Sequence, residues 1–136
     1  MDKKIFPNDK IITTKYFDVH QDWDTPIPGF FIIASRNNRI SFDEFNKAET
    51  SEFTSLVKKI RTGMRDALNI ETVYLWQNED TKYKVFHLWI FPRYSWMDKF
   101  GFGIKSVEPI IDYAKDNMGN DRIFKDVKVM VKEMKE

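Results

Sequence analysis

The stretch YKVFHLWIF, residues 83 to 91, constrains the fold more than any other part of the chain. Its β-branched and aromatic residues predict a strand, and strand side chains alternate between two faces. One face would carry Phe86, Leu88 and Ile90. Because that face is wholly apolar, another element must cover it. The opposite face would carry Val85, His87, Trp89 and Phe91, which places one imidazole among apolar groups.

The covering element is predicted between Ala48 and Leu68. Apolar residues recur there at steps of 1, 3 or 4, which is the periodicity of one helical face. They are Phe53, Leu56, Val57, Ile60, Met64 and Leu68. Gly63 lies inside this helix, where it costs about 1 kcal/mol relative to alanine.

The remaining segments predict strands and turns. Residues 11 to 22, IITTKYFDVHQD, predict a strand or a hairpin, and TPIPG, 25 to 29, predicts a turn. FFIIAS, 30 to 35, predicts a central strand. ETVYLWQN, 71 to 78, predicts a strand that is close enough to residues 83 to 91 to form an antiparallel hairpin with it.

The last third of the chain predicts helices. Ser106 is a plausible N-cap for a helix with an apolar face, and a final helix is expected from about Asp121. The apolar face of the first would consist of Val107, Ile110, Ile111 and Ala114. The element order predicts one α+β domain over residues 1 to 136, with an antiparallel sheet of about five strands and a helical extension over about 104 to 136.

The composition narrows the function classes. The chain has 136 residues with 22 basic and 21 acidic side chains, so the charge gives no reason to expect a nucleic-acid or membrane partner. It has no cysteine and two histidines, so we expect no metal site and no cofactor. No apolar run approaches the roughly 20 residues of a membrane span, and the first ten residues do not resemble a secretory signal. We therefore expect a soluble cytoplasmic protein.

The stretch VFHLWIFPR, residues 85 to 93, resembles the motif of the histidine-triad (HIT) family, in which histidine alternates with apolar residues ahead of Pro-Arg. Aligning on Pro92-Arg93 puts the three triad positions at Val85, His87 and Trp89. In that family the middle histidine is the nucleophile that attacks an α-phosphorus. The resemblance therefore implies a HIT-like fold with His87 as the catalytic residue.

Other landmarks extend the resemblance over roughly residues 5 to 100. The family places a carboxylate or amide about six positions before the proline of the turn, where it binds ribose hydroxyls, and Asp22 lies six before Pro28. A polar strand end that contacts phosphate corresponds to Gln77 or Asn78. Arg93 would place a cation just beyond the nucleophile. The resemblance also implies a homodimer.

The chain departs from the family pattern at three positions. Val85 and Trp89 replace the outer histidines of the triad, and Phe30 stands where histidine commonly follows Pro-Gly. An indole N–H donates a hydrogen bond but cannot supply a proton as an imidazolium does. The hexose-1-phosphate uridylyltransferase branch has glutamine at the third position and still transfers nucleotides. The loss of that histidine therefore favours a substrate with a good leaving group, such as a polyphosphate.

Two features of the sequence, His20 and residues 93 to 103, allow more than one interpretation. His20 shares a strand face with Asp22, so it would either stack on a nucleobase or be a solvated strand residue. Residues 93 to 103, RYSWMDKFGFG, would form a lid or a dimer contact, and their aromatic groups must pack on the C-terminal helices or on a second subunit.

Three functions are consistent with the sequence. The first is a HIT-like nucleotide phosphohydrolase or nucleotidyl transferase, for example a dinucleoside polyphosphate hydrolase. The second is a non-catalytic nucleotide binder or sensor, because two triad histidines are absent. The third is a structural or interaction protein whose pocket is filled by Trp89 or another side chain.

Overall fold

The computed structural model describes residues 4–82 and 84–135. Within these ranges one antiparallel sheet has the strand order β1-β2-β3-β5-β4. The strands are β1 (Lys10–Thr13), β2 (Phe17–Gln21), β3 (Phe31–Ser35), β4 (Val73–Gln77) and β5 (His87–Pro92). The helices are α1 (Lys47–Leu68), α2 (Val107–Asn117) and α3 (Asp121–Lys135). The α+β class, the five strands and the predicted pairing of β4 with β5 are confirmed. Residues 11 to 22, expected to form a strand or a hairpin, contribute to two paired strands, β1 and β2.

The strand β5 is shorter at its start than predicted. Residue 83 lies outside the described ranges, and residues 84 to 86 are not in a strand. Pairing along β4 stops at Gln77, which lies opposite Leu88, so residues 84 to 86 are not paired with β4. The backbone N–H of Phe86 donates instead to the carbonyl oxygen of Arg39 at 2.6 Å.

Helix α1 covers one face of the sheet, as the apolar periodicity predicted. It begins after Asn46, whose side chain accepts a hydrogen bond from the backbone N–H of Glu49 at 2.8 Å, which satisfies one of the unpaired donors of a helix start. It ends at Asn69 in the left-handed conformation. The buried side chains of its inner face pack with Phe31, Ile33 and Ile90 of the sheet. They are Leu56, Ile60 and Met64.

Helix α3 packs beside α1 and against β1. A Cβ atom on Gly63 would lie 3.0 Å from Cε of Met134, so the glycine allows the two helices to approach closely. At the other end of the contact, the rings of Phe6 and Phe124 meet edge to face at 5.5 Å. Lys128 donates to both carboxylate oxygens of the buried Asp9 at 2.9 Å.

The aromatic segment after β5 packs on α2. A 3-10 helix runs from Ser95 to Phe100, and its Met97 is fully buried. The rings of Trp96 and Phe100 contact Tyr113 of α2 at 5.6 and 5.4 Å. The sequence predicted that these rings pack on the C-terminal helices or on a second subunit. The structure shows them packed on a C-terminal helix, α2.

Ser106 does not cap α2, so that prediction is wrong. Its backbone is helical (φ −78°, ψ −19°), and its side chain makes no capping hydrogen bond. The hydroxyl donates instead to the carbonyl oxygen of Gly103 at 2.6 Å. Ser106 ends a 3-10 turn, Ile104–Ser106, that runs directly into α2, so the helix has no separate start for a cap to satisfy. No helix among the described residues is long and apolar enough to span a membrane.

Candidate functional site

A pocket of about 180 Å³ opens on the sheet face opposite α1. Residues from β2, β3 and β5 form its floor, because His20, Ile32 and Trp89 are neighbours across the three strands. The loop after β2, together with Lys4 and Thr81, forms its walls. The described lining residues are Lys4, His20, Asp22, Trp23, Asp24, Ile32, Thr81, His87 and Trp89.

His87 is the first residue of β5, and its side chain is 6% exposed at the pocket. Its ring Nδ1 lies 2.7 Å from the carbonyl oxygen of Val85. Because a carbonyl only accepts, this contact holds the proton on Nδ1 and leaves the lone pair on Nε2. Burial lowers the pKa of His87, although the bond to Val85 opposes this effect. The imidazole is therefore neutral near pH 7, which is the form that acts as a nucleophile.

Asp22 follows directly after β2 and is 7% exposed. Its Oδ1 accepts hydrogen bonds from the backbone N–H groups of Asp24 at 3.2 Å and Thr25 at 3.1 Å. These bonds fix the carboxyl group in the tight turn that leads to TPIPG. Burial raises the pKa of Asp22 to about 7, and the neighbouring carboxyl group of Asp24 acts in the same direction.

His20 is buried in the same pocket, and its Nδ1 lies 2.8 Å from the carbonyl oxygen of Gln21. Its ring stacks on Trp23, with centroids 4.6 Å apart and planes inclined by 11°. Burial lowers the pKa of His20, although the bond to Gln21 opposes this effect, and repulsion between the two rings when both are protonated lowers the pKa further. Both histidines of the chain therefore contribute neutral rings to one cavity.

Trp89 lines the pocket but does not fill it. Its ring lies between two others: His87 at 5.6 Å and Trp76 at 6.0 Å, both in stacked orientations. The indole therefore forms an aromatic wall where the triad pattern has its third histidine.

Three predicted site residues lie elsewhere. Gln77 pairs with Leu88, which packs on the α1 side of the sheet, and directly paired residues point to the same face. Asn78 lines a separate cavity of about 300 Å³ beside α2. The guanidinium of Arg93 donates to Ser106 Oγ, Asp98 Oδ1 and the carbonyl oxygen of Gly101. Arg93 thus holds the loop ahead of α2 in place, and phosphate binding by these three residues stays a prediction.

The structure also brings residues to the pocket that the sequence did not single out as ligand-binding. Trp23 and Asp24 adjoin Asp22, so their nearness in sequence was a usable signal. Lys4, Ile32 and Thr81 are far from the motif in sequence and reach the pocket only through the fold. Among the described residues, no three His, Asp or Glu side chains are grouped to hold a metal ion.

Comparisons with solved structures identify the class of fold. A Hit-like protein involved in cell-cycle regulation from Bartonella henselae superposes with a TM-score of 0.64 at 14% identity, over 95% of this chain and 86% of that one. A hypothetical histidine triad nucleotide-binding protein from Sulfolobus tokodaii gives 0.64 at 14%, over 92% and 81%. A HIT family protein from Bacillus anthracis gives 0.59 at 21%, over 86% and 84%.

The chain therefore has the HIT-like α+β fold, which confirms the expectation from VFHLWIFPR. No protein-family model matches the sequence, and no curated protein matches it significantly. At such low identities the likeness to solved structures concerns the fold, and the chemistry has to be argued from the pocket itself.

Proposed function

We propose that this protein is a nucleotide phosphohydrolase or nucleotidyl transferase that uses His87 as its nucleophile. The observation that carries the proposal is the bond from His87 Nδ1 to the carbonyl oxygen of Val85, because it leaves Nε2 as the nucleophilic atom of a ring that lines a pocket. The HIT-like fold supports nucleotide chemistry by analogy.

The reaction would proceed in two displacements. Nε2 of His87 attacks the α-phosphorus, the bond from phosphorus to the leaving-group oxygen breaks, and the leaving group departs with the electron pair. The carbonyl oxygen of Val85 stabilises the positive charge that the ring acquires. Water or another acceptor then attacks the phosphorus, and the bond from Nε2 to phosphorus breaks with its electron pair returning to the ring. The proton of the acceptor passes to solvent, the nucleotide leaves, and the neutral imidazole is restored.

Asp22 would bind the ribose hydroxyls as a hydrogen-bond acceptor, and His20 with Trp23 would provide the aromatic surface for a base. Typical ligand pockets measure roughly 300–1,000 Å³, and this pocket is smaller at about 180 Å³. We therefore expect it to enclose only part of a nucleotide, with the rest extending from its mouth.

Trp89 determines which leaving groups are suitable. Its indole cannot protonate a departing oxygen, so a polyphosphate, which leaves as a stable anion, is favoured over an alcohol. Dinucleoside polyphosphates and nucleoside phosphoramidates are the substrates to test first. Release of a nucleoside monophosphate by the wild-type protein, and its loss in His87→Ala, are the expected results. Equal turnover by both proteins would disprove the mechanism.

A second candidate is a nucleotide binder without turnover. Trp89 favours it, because the pocket then has an aromatic wall in place of a proton donor. That protein would bind nucleoside monophosphates with measurable heat and release no product. A purely structural role is less well supported, since it requires a filled pocket and Trp89 leaves the cavity open.

We also propose a homodimer that pairs through the outer edge of the sheet. β4 is the last strand of the described sheet, and its Leu75 is 50% exposed. Sedimentation velocity should give twice the chain mass of 16.3 kDa. A monomer of 16.3 kDa at micromolar concentration would contradict this assembly.

A further inference from the structure

The N-terminal segment brings a positive charge to the pocket. Among the described lining residues, Lys4 is the one with a permanent positive charge, and two carboxyl groups, Asp22 and Asp24, share the cavity with it. Nearby, Lys115 lies 4.0 Å from Asp24 Oδ2 and so compensates part of the acidic charge. Apart from Lys4, the described lining offers a phosphate only carboxyl groups, apolar side chains and uncharged groups such as the Thr81 hydroxyl.

The segment that carries Lys4 is attached to the pocket wall. The backbone N–H groups of Ile5 and Phe6 both donate to the carbonyl oxygen of Trp23, at 2.7 and 3.0 Å. The Phe6 ring is 1% exposed and packs on Phe124 of α3. Lys4 is therefore anchored by its two successors at the loop that follows β2.

The ammonium group lies on an aromatic stack. Nζ of Lys4 is 3.8 Å from the ring centroid of Trp23, and Trp23 stacks in turn on His20. This cation–π contact holds a flexible side chain over the pocket. A charge-assisted hydrogen bond to phosphate is stronger than the cation–π contact, so a bound phosphate would draw the ammonium group to itself. The ammonium group of Lys4 thus adds a positive charge to a pocket in which the two histidines are neutral. Trp89, which takes the place of the third triad histidine, adds none.

We propose that Lys4 is a specificity-determining residue that binds the phosphate oxygens of the nucleotide at this pocket. This inference rests on the proposed nucleotide site and adds to it the residue that recognises the anion. Lys4 takes no part in proton transfer. Its ammonium attracts the phosphate and stabilises the charge on its oxygens, so ligands that carry a phosphate gain from it and uncharged nucleosides do not.

The test compares the four nucleoside 5′-monophosphates with the corresponding nucleosides. Dissociation constants are measured by NMR chemical-shift titration of the full chain for the wild type, Lys4→Met, Lys4→Arg and Lys15→Met. Lys15 is a matched control, because its Nζ also lies over an aromatic ring, that of Tyr16 at 5.3 Å, but it does not line the pocket. Circular dichroism establishes that each variant is folded.

We expect Lys4→Met to weaken monophosphate binding about tenfold, the size of one lost charged hydrogen bond. Nucleoside binding should stay within about twofold, Lys4→Arg should retain most of the affinity, and Lys15→Met should equal the wild type. The tenfold ratio should shrink as salt is added, because added ions screen the ammonium group.

Two results would overturn the inference while the nucleotide site stands. One is equal monophosphate affinity in the wild type and Lys4→Met. The other is an equal loss for nucleosides and monophosphates, which would make Lys4 a cover for the base. If the wild type binds none of the monophosphates, the proposed function fails and this inference fails with it.

Discussion

Two buried carboxyl groups of this protein, Glu49 and Asp22, differ in whether their surroundings favour the ionised form. Glu49, near the start of α1, is fully buried. Burial alone would raise its pKa, but hydrogen bonds from the Asn46 backbone, Asn37 and Arg39 outweigh that effect and hold the pKa below its usual value. The donor atoms lie 2.9 to 3.0 Å from its oxygens.

Asp22 is almost as buried, yet its surroundings oppose ionisation. It accepts from two backbone N–H groups, and the charged side chain beside it is a second carboxyl group, Asp24. Its pKa rises to about 7. Glu49 thus stabilises the fold through its charge, whereas the charge on Asp22 works against the fold and has value only toward a ligand in the pocket. Replacing each carboxyl group by its amide should separate the two roles.

Glu49→Gln is expected to have the larger effect on stability. The amide keeps the size of the side chain but loses the charged hydrogen bonds to Arg39 and presents donors where an acceptor is needed. We expect the free energy of unfolding to fall by about 2–3 kcal/mol. Urea denaturation at pH 7 measures it, with the exposed Asp66→Asn on the same helix as the control. Unchanged stability would show that Glu49 is not structurally important.

Asp22→Asn is expected to have the opposite sign. The folded pKa of about 7 exceeds the ordinary 3.8, so the wild type loses stability as the pH rises from about 4 to 7 and is constant above that. Asparagine does not ionise, and its Oδ1 can keep the bonds to Asp24 and Thr25. The variant should therefore be more stable than the wild type at pH 8 by a few kcal/mol, with the difference vanishing near pH 4.

Thermal unfolding at pH 4, 6 and 8 measures this difference. A variant that is less stable than the wild type at pH 8 would contradict the raised pKa. The affinity of the variant for nucleotides should fall, because the amide is a weaker acceptor for ribose hydroxyls than a carboxylate. A gain in stability together with a loss in nucleotide affinity would identify Asp22 as a binding residue.

Helix α1 and two residues of the pocket could be predicted from the sequence. Helix α1 was predictable, because an apolar period over residues 48 to 68 depends on local geometry alone. His87 and Asp22 are implied by the resemblance to the HIT motif, aligned on Pro92 and Pro28, and the fold brings both to one pocket.

Features that could not be predicted from the sequence depend on tertiary packing. The sequence predicts Gln77 as a phosphate ligand, but it cannot show the register that pairs Gln77 with Leu88 on the α1 side of the sheet. Arg93 finds its acceptors in Gly101 and Ser106, whose positions are set by the packing of α2. Lys4 reaches the site only because Ile5 and Phe6 bond to Trp23.

The central claim is that His87 forms a covalent bond to phosphorus. Mixing the protein with diadenosine tetraphosphate, quenching in alkali and mapping the peptides by mass spectrometry tests it directly, with His20 as an internal control on a separate peptide. The account predicts an adenylyl adduct on His87 that is absent from His87→Ala. Product release with no adduct on His87, or with an adduct on His20, would contradict it.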